Sequence, residues 1–66
     1  MKLYYDEKVD ALYLRLDNSD ILESEEVRDG IVLDYNQNEQ VVGIEILNVS
    51  NRVALPDLKK IQLDFA

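Results

Sequence analysis

Residues 25–46 read EEVRDGIVLDYNQNEQVVGIEI, and this stretch decides the fold. Ile31, Leu33 and Tyr35 alternate with Val32 and Asp34, while Val42, Ile44 and Ile46 alternate with Gly43 and Glu45. A period of two marks strands with two different faces. Asp29-Gly30 is the strongest local hairpin signal, since a type I′ turn needs φ > 0 at both central residues. A turn centred there pairs Arg28 with Ile31, Val27 with Val32, Glu26 with Leu33 and Glu25 with Asp34. A second turn falls within Asn36–Gln40. Centred on Asn38-Glu39, it pairs Tyr35 with Val42, Leu33 with Ile44 and Ile31 with Ile46. All of these apolar side chains then share one face, so turn chemistry and hydrophobic pattern agree.

The reading extends outward from this pair of hairpins. Leu12, Leu14 and Leu16 alternate with Tyr13 and Arg15. A loop over Asp17–Ile21 would pair Leu16 with Leu22 and Leu14 with Ser24, leaving Arg15 facing Glu23 and diagonal to Glu25. Leu3–Tyr5 returns through an Asp6–Asp10 turn onto the second strand. Downstream, Asn48 is an N-cap candidate for a turn through Arg52-Val53. Pro56 suits the opening of a second turn over Asp57–Lys60. Ile61, Leu63 and Phe65 alternate as a final strand. The expectation is an α+β chain, mostly β: an antiparallel β-meander of about five strands with a short C-terminal helical turn and final strand. Residues 1–66 form a single small domain.

This arrangement separates two faces. One holds Leu3, Tyr5, Leu12, Leu14, Leu16, Leu22, Ile31, Leu33, Tyr35, Val42, Ile44 and Ile46. The other holds Tyr4, Tyr13, Arg15, Glu23, Glu25, Val27, Val32, Asp34 and Glu45. A sheet this apolar on one side must be covered, and residues 48–66 are too few to do it. A homodimer is therefore expected, with Leu14, Leu33, Ile44, Leu63 and Phe65 in its interface.

Charge is concentrated in the middle of the chain. Residues 17–45 hold nine acids and one base, Arg28, for a net −8; the whole chain carries −7 with a pI near 4.2. Such a field repels nucleic acid and favours a basic protein partner, with Glu23, Glu25, Asp34, Glu45 and Arg15 as the candidate partner-binding residues. The bland alternative is a solvated face kept soluble by its charge.

The chemistry available is narrow. With no Cys and no His, disulfides, thiolate and imidazole catalysis and zinc-finger spacings are excluded. Ser19, Ser24 and Ser50 have no paired lysine base in view, and isolated Gly30 and Gly43 make no phosphate-cradling loop. Gly43, within a strand pattern, suggests a bulge or a close approach of another backbone. Asp34-x-Asn36-x-Asn38, with Glu45 in the twelfth position, imitates a calcium loop. Its sixth position is Glu39 instead of Gly, however, and its flanks read as strands. Asp17-Asn18-Ser19-Asp20 reads as turn chemistry. Glu25, Asp34 and Glu45 could form a weak metal or acid/base site only if something walled off a cleft above them. No enzyme activity, cofactor or metal is expected. The apolar runs are too short for a membrane span, and a cytoplasmic location follows.

The run Tyr5-Asp6, Asp10-Ala11-Leu12-Tyr13-Leu14-Arg15-Leu16, Glu23-Ser24-Glu25-Glu26-Val27, Asp29-Gly30-Ile31-Val32-Leu33-Asp34-Tyr35 and Val42-Gly43-Ile44-Glu45-Ile46-Leu47 resembles the family called domain of unknown function 2283. Asn48-Val49-Ser50-Asn51-Arg52 resembles its closing segment. Glu39 departs from the pattern, which usually has Gly there in an Asp-Gly turn. The resemblance implies a small prokaryotic protein without an assigned activity. For some members it implies a neighbour resembling a small toxin-like ribonuclease, hence an antitoxin role.

Overall fold

In a computed structural model describing residues 1–66, the alternating segments form five antiparallel strands. They are β1 (Lys2–Asp6), β2 (Ala11–Arg15), β3 (Glu23–Arg28), β4 (Ile31–Tyr35) and β5 (Val41–Leu47). A 3-10 turn, Val49–Asn51, and a single helical turn, α1 (Leu55–Leu58), follow. The fold class is the expected one: mostly β, an antiparallel meander with short helical turns near the C-terminus. No helix is long and apolar enough to cross a membrane.

One pairing differs from expectation. The strand order is β1-β2-β5-β4-β3, so β2 lies against β5 and not against β3. Leu12 opposes Ile46 and Leu14 opposes Ile44, and the pairs Leu16 with Leu22 and Leu14 with Ser24 do not form. The physical reason is burial. Strand β5, VVGIEIL, is the most apolar of the five and takes the centre, with an apolar strand on each side. Strand β3, ESEEVR, is the most charged and takes an edge, where its carboxylates keep water. Residues 16–22 cross one end of the sheet to make this possible. They are anchored there by Leu16 N–H to Val42 O (2.8 Å) and Leu22 N–H to Tyr35 O (2.9 Å).

Two bulges refine the hairpins. Asp29 keeps a negative φ and only Gly30 is left-handed (φ 78°), so the first turn is not type I′. The surplus residue, Val27, is left unpaired between Glu26 and Arg28. Glu25 consequently opposes Leu33, and Ser24 opposes Asp34. In the second hairpin Leu33–Ile44 and Ile31–Ile46 pair as expected, while Tyr35 opposes Val41 and Val42 is the extra residue. Its turn is tight despite Glu39, which adopts φ 61° and donates its N–H to Asn36 O (3.0 Å). The Asn36 carboxamide closes the loop by accepting from Asn38 N–H (2.9 Å) and Gln40 N–H (3.0 Å).

The C-terminus also differs. Residues 61–66 form no strand, and Ile61, Leu63 and Phe65 are 57%, 79% and 91% exposed. Both available sheet edges, β1 and β3, are left unextended. Asn48 does precede a short helix, but through a left-handed backbone (φ 53°) and not through a side-chain cap. Pro56 lies in the first turn of α1, the position its fixed φ suits.

The resulting core is very small. Ala11, Val42 and Val49 are the only buried hydrophobic residues. The sheet is held instead by stitching at its two ends. At one end Asp10 accepts from Tyr5 Oη (2.6 Å), Ser50 Oγ (2.7 Å) and Ser50 N–H (3.1 Å). Arg52 reaches Leu47 O (3.1 Å) and Asp29 O (2.9 Å) there. At the other end Arg15 donates to Asp17 O (2.6 Å) and to Ser19 O.

Candidate functional site

The register defines two faces, which keep the expected division on β1, β2, β4 and β5 but not the expected placing of Glu23 and Glu25 on β3. Residues directly opposite on neighbouring strands share a face. On the first face, one row runs Leu3, Leu14, Ile44, Leu33, Glu25 from edge to edge. The next row runs Tyr5, Leu12, Ile46, Ile31, Arg28. Leu14, Leu33 and Ile44 thus lie side by side as expected, half-exposed, with no layer over them. Leu63 and Phe65, expected beside them, are exposed in the irregular C-terminus instead.

Glu23 and Glu25 do not join Asp34 and Glu45. The bulge at Val27 turns them onto the apolar side, where they form its charged rim along β3. Tyr35, on the same side, contacts Glu25 through its hydroxyl (3.4 Å). Burial raises the Tyr35 phenol above its ordinary range, with the Glu25 charge adding to it. Arg15 is not beside Glu23 either, because two strands now separate β2 from β3.

The second face carries Arg15, Asp34 and Glu45, together with Tyr4 and Tyr13. Asp34 is only 7% exposed. Its carboxylate accepts from Tyr13 Oη (2.6 Å) and Ser24 Oγ (2.5 Å). Burial and the Asp34 hydrogen bond both push the Tyr13 phenol up, and Arg15 opposes them. Gly43 makes this cluster feasible. A Cβ there would collide with the Tyr13 hydroxyl and stand 2.8 Å from Asp34 Oδ2. The close approach at Gly43 is thus by side chains, not by another backbone. Beside it lies a shallow cleft of about 260 Å³, bordered by Tyr4, Asp6, Val9, Ala11, Tyr13, Asp34 and Glu45. Tyr4 and Tyr13 meet edge to face with ring centroids 5.6 Å apart.

Chemically, the second face offers carboxylates beside aromatic rings, which suits a cationic side chain. The calcium-like loop does not assemble, because Asp34 and Asn36 spend their oxygens on internal hydrogen bonds. No group of three or more acidic side chains gathers as a metal cage would require. In the Asp17–Asp20 turn, Asp17 accepts from Ser19 N–H (3.1 Å) and Oγ (2.8 Å), and these bonds lower its pKa.

A family model described as "Protein of unknown function (DUF2283)" matches residues 2–50. The chain belongs to that family. No curated protein and no solved structure matches it significantly. Two residues inside the matched range, Asp10 and Gly43, and Arg52 just beyond it now acquire physical roles. Asp10 bridges the first hairpin to the 3-10 turn, Gly43 makes room for Tyr13 and Asp34, and Arg52 ties the Asp29-Gly30 turn to the end of β5. The sequence reading missed the Asp10 bridge and the Arg52 tie, since each joins residues far apart in the chain. Arg28 opposes Ile31 as the first turn implied, and its place on the apolar side follows from that pairing.

Proposed function

We propose that this DUF2283 protein is a non-enzymatic protein-interaction module that self-associates and presents its acidic surface to a basic partner. The observation that carries the reading is the largely uncovered first face: β1, β2, β5 and β4 share an apolar side, and α1 approaches it only at the corner beside Tyr5. Exposed apolar patches beyond a few hundred Å² mark interaction sites on soluble proteins. The net charge of −8 over residues 17–45, placed on both sides of the sheet, supports the basic partner. A small toxin-like ribonuclease, with this chain as its antitoxin, is the candidate partner that we take from the family resemblance.

Capture of partners from the native host at rising salt tests the reading. A basic protein that elutes as salt rises is the expected result, because contacts between charged surfaces weaken with screening. Glu45→Lys, on the second face, should slow its association at least about tenfold while leaving self-association intact. An acidic partner, or binding indifferent to salt and to Glu45→Lys, would overturn the basic-partner reading.

A further inference from the structure

We infer that two copies of this chain pack sheet against sheet with β3 over β3 and the strands running in opposite directions, so that Glu25 of each copy meets Arg28 of the other. The inference rests on the self-association just proposed and specifies its geometry.

Charge complementarity within the first face selects the arrangement. Each apolar row ends at the β3 edge in a charged residue, Glu25 in one and Arg28 in the next. Both side chains are exposed. A two-fold axis lying across the strands, midway between these rows, reverses the strand direction of the second copy. The row ending in Glu25 then covers the row ending in Arg28, and the converse follows by symmetry. Leu3, Leu14, Ile44 and Leu33 of one copy face Tyr5, Leu12, Ile46 and Ile31 of the other. Face-to-face sheets stand about 10 Å apart, a gap that a glutamate and an arginine at the rim span together.

Other arrangements fail on the same residues. An axis parallel to the strands would lay Glu25 and Arg28 over Leu3 and Tyr5 of the other copy, burying charge without partners. An axis along the Glu25 row would set Glu25 against itself. Joining two sheets edge to edge through β3 would bring Glu23, Glu25 and Glu26 of one copy against the same acids of the other. Area is adequate. Five strands at about 4.8 Å spacing and five residues at about 3.3 Å give a face of roughly 400 Å² in projection. Two such faces give about 800 Å², and exposed Leu16 and Leu22 beyond the strands carry the total toward the roughly 1,000 Å² that a specific interface needs.

Charge reversal tests the geometry, read by sedimentation and native mass spectrometry, with circular dichroism confirming that each variant is folded. Glu25→Arg and Arg28→Glu should each weaken self-association at least about tenfold. An equimolar mixture of the two variants should form a heterodimer, and the double variant Glu25→Arg/Arg28→Glu should dimerise like the parent. A dimeric parent without rescue in the mixture or the double variant overturns this arrangement and leaves self-association standing. A monomeric parent overturns both. A monomeric parent that dimerises once residues 61–66 are removed shows that the C-terminal segment is the cover instead.

Discussion

Gly43 shows how one missing side chain organises a face. Its backbone sits under the Tyr13 hydroxyl and the Asp34 carboxylate. Gly43→Ala should cost about 1–3 kcal/mol, the usual penalty for overpacking. In a Tyr13→Phe background the same change should cost less, because the colliding hydroxyl is gone; urea unfolding of the four-variant cycle measures this coupling. Glu39 is the reverse case, a side chain where the backbone is left-handed. Glu39→Gly should stabilise the protein by about 0.5–1 kcal/mol, seen as a shift of the urea midpoint at constant slope. The Tyr5–Asp10 pair gives stability a pH dependence at both extremes. The bond to Asp10 pushes the Tyr5 phenol from 10.0 up to about 12. Its stabilisation is complete below pH 10 and is lost as pH rises toward 12. The Asp10 carboxyl is lowered from 3.8, first by Tyr5 and then by Ser50, so its stabilisation is present above pH 3.8 and is lost as pH falls through the lower folded value. Tyr5→Phe should flatten the alkaline loss and shrink the acid one in denaturation series across pH.

Among the elements, the hairpins were legible and the long connection was not. Asp29-Gly30 and Asn36–Gln40 announce their turns through residue types that tolerate them. The bulge at Val27 left no equally clear mark, and it moves Glu23 and Glu25 from one face to the other. Alternation has a period of two, so one surplus residue reverses every side chain beyond it. Arg52 and Asp10 stitch the end where three elements meet, and neither contact is local. Arg52→Ala should speed hydrogen exchange at the Leu47 amide, which donates to Gly30 O (2.8 Å), while amides in the middle of β4 stay protected. Equal acceleration in both places would mean that Arg52 supports the whole sheet and not its end alone.

For the whole molecule, the decisive quantity is uncovered apolar surface. Ala11, Val42 and Val49 alone are a small core for 66 residues. Thermal stability should therefore rise with protein concentration, because dimerisation adds burial that the single sheet lacks. A melting temperature independent of concentration over a hundredfold range would count against a dimer. The candidate site was half legible on the same grounds. Leu14, Leu33 and Ile44 announce themselves by alternation, whereas the acids were grouped by charge and the fold divides them between two faces.

By itself, the sequence determined what depends on neighbours in the chain. Alternation set the strands, turn residues set three hairpins, and the absence of Cys and His bounded the chemistry. Tertiary structure decided which strands meet across the sheet. Strand β2 pairs with β5 because burying its leucines against the most apolar strand outweighs the longer connection that this requires, and loop-closure cost grows only slowly with length. That choice sent the acidic β3 to the edge and Arg15 to its turn. The turn already set Arg28 against Ile31, and the bulge at Val27 then brought Glu25 onto the same face, so that both stand at its rim on the edge strand.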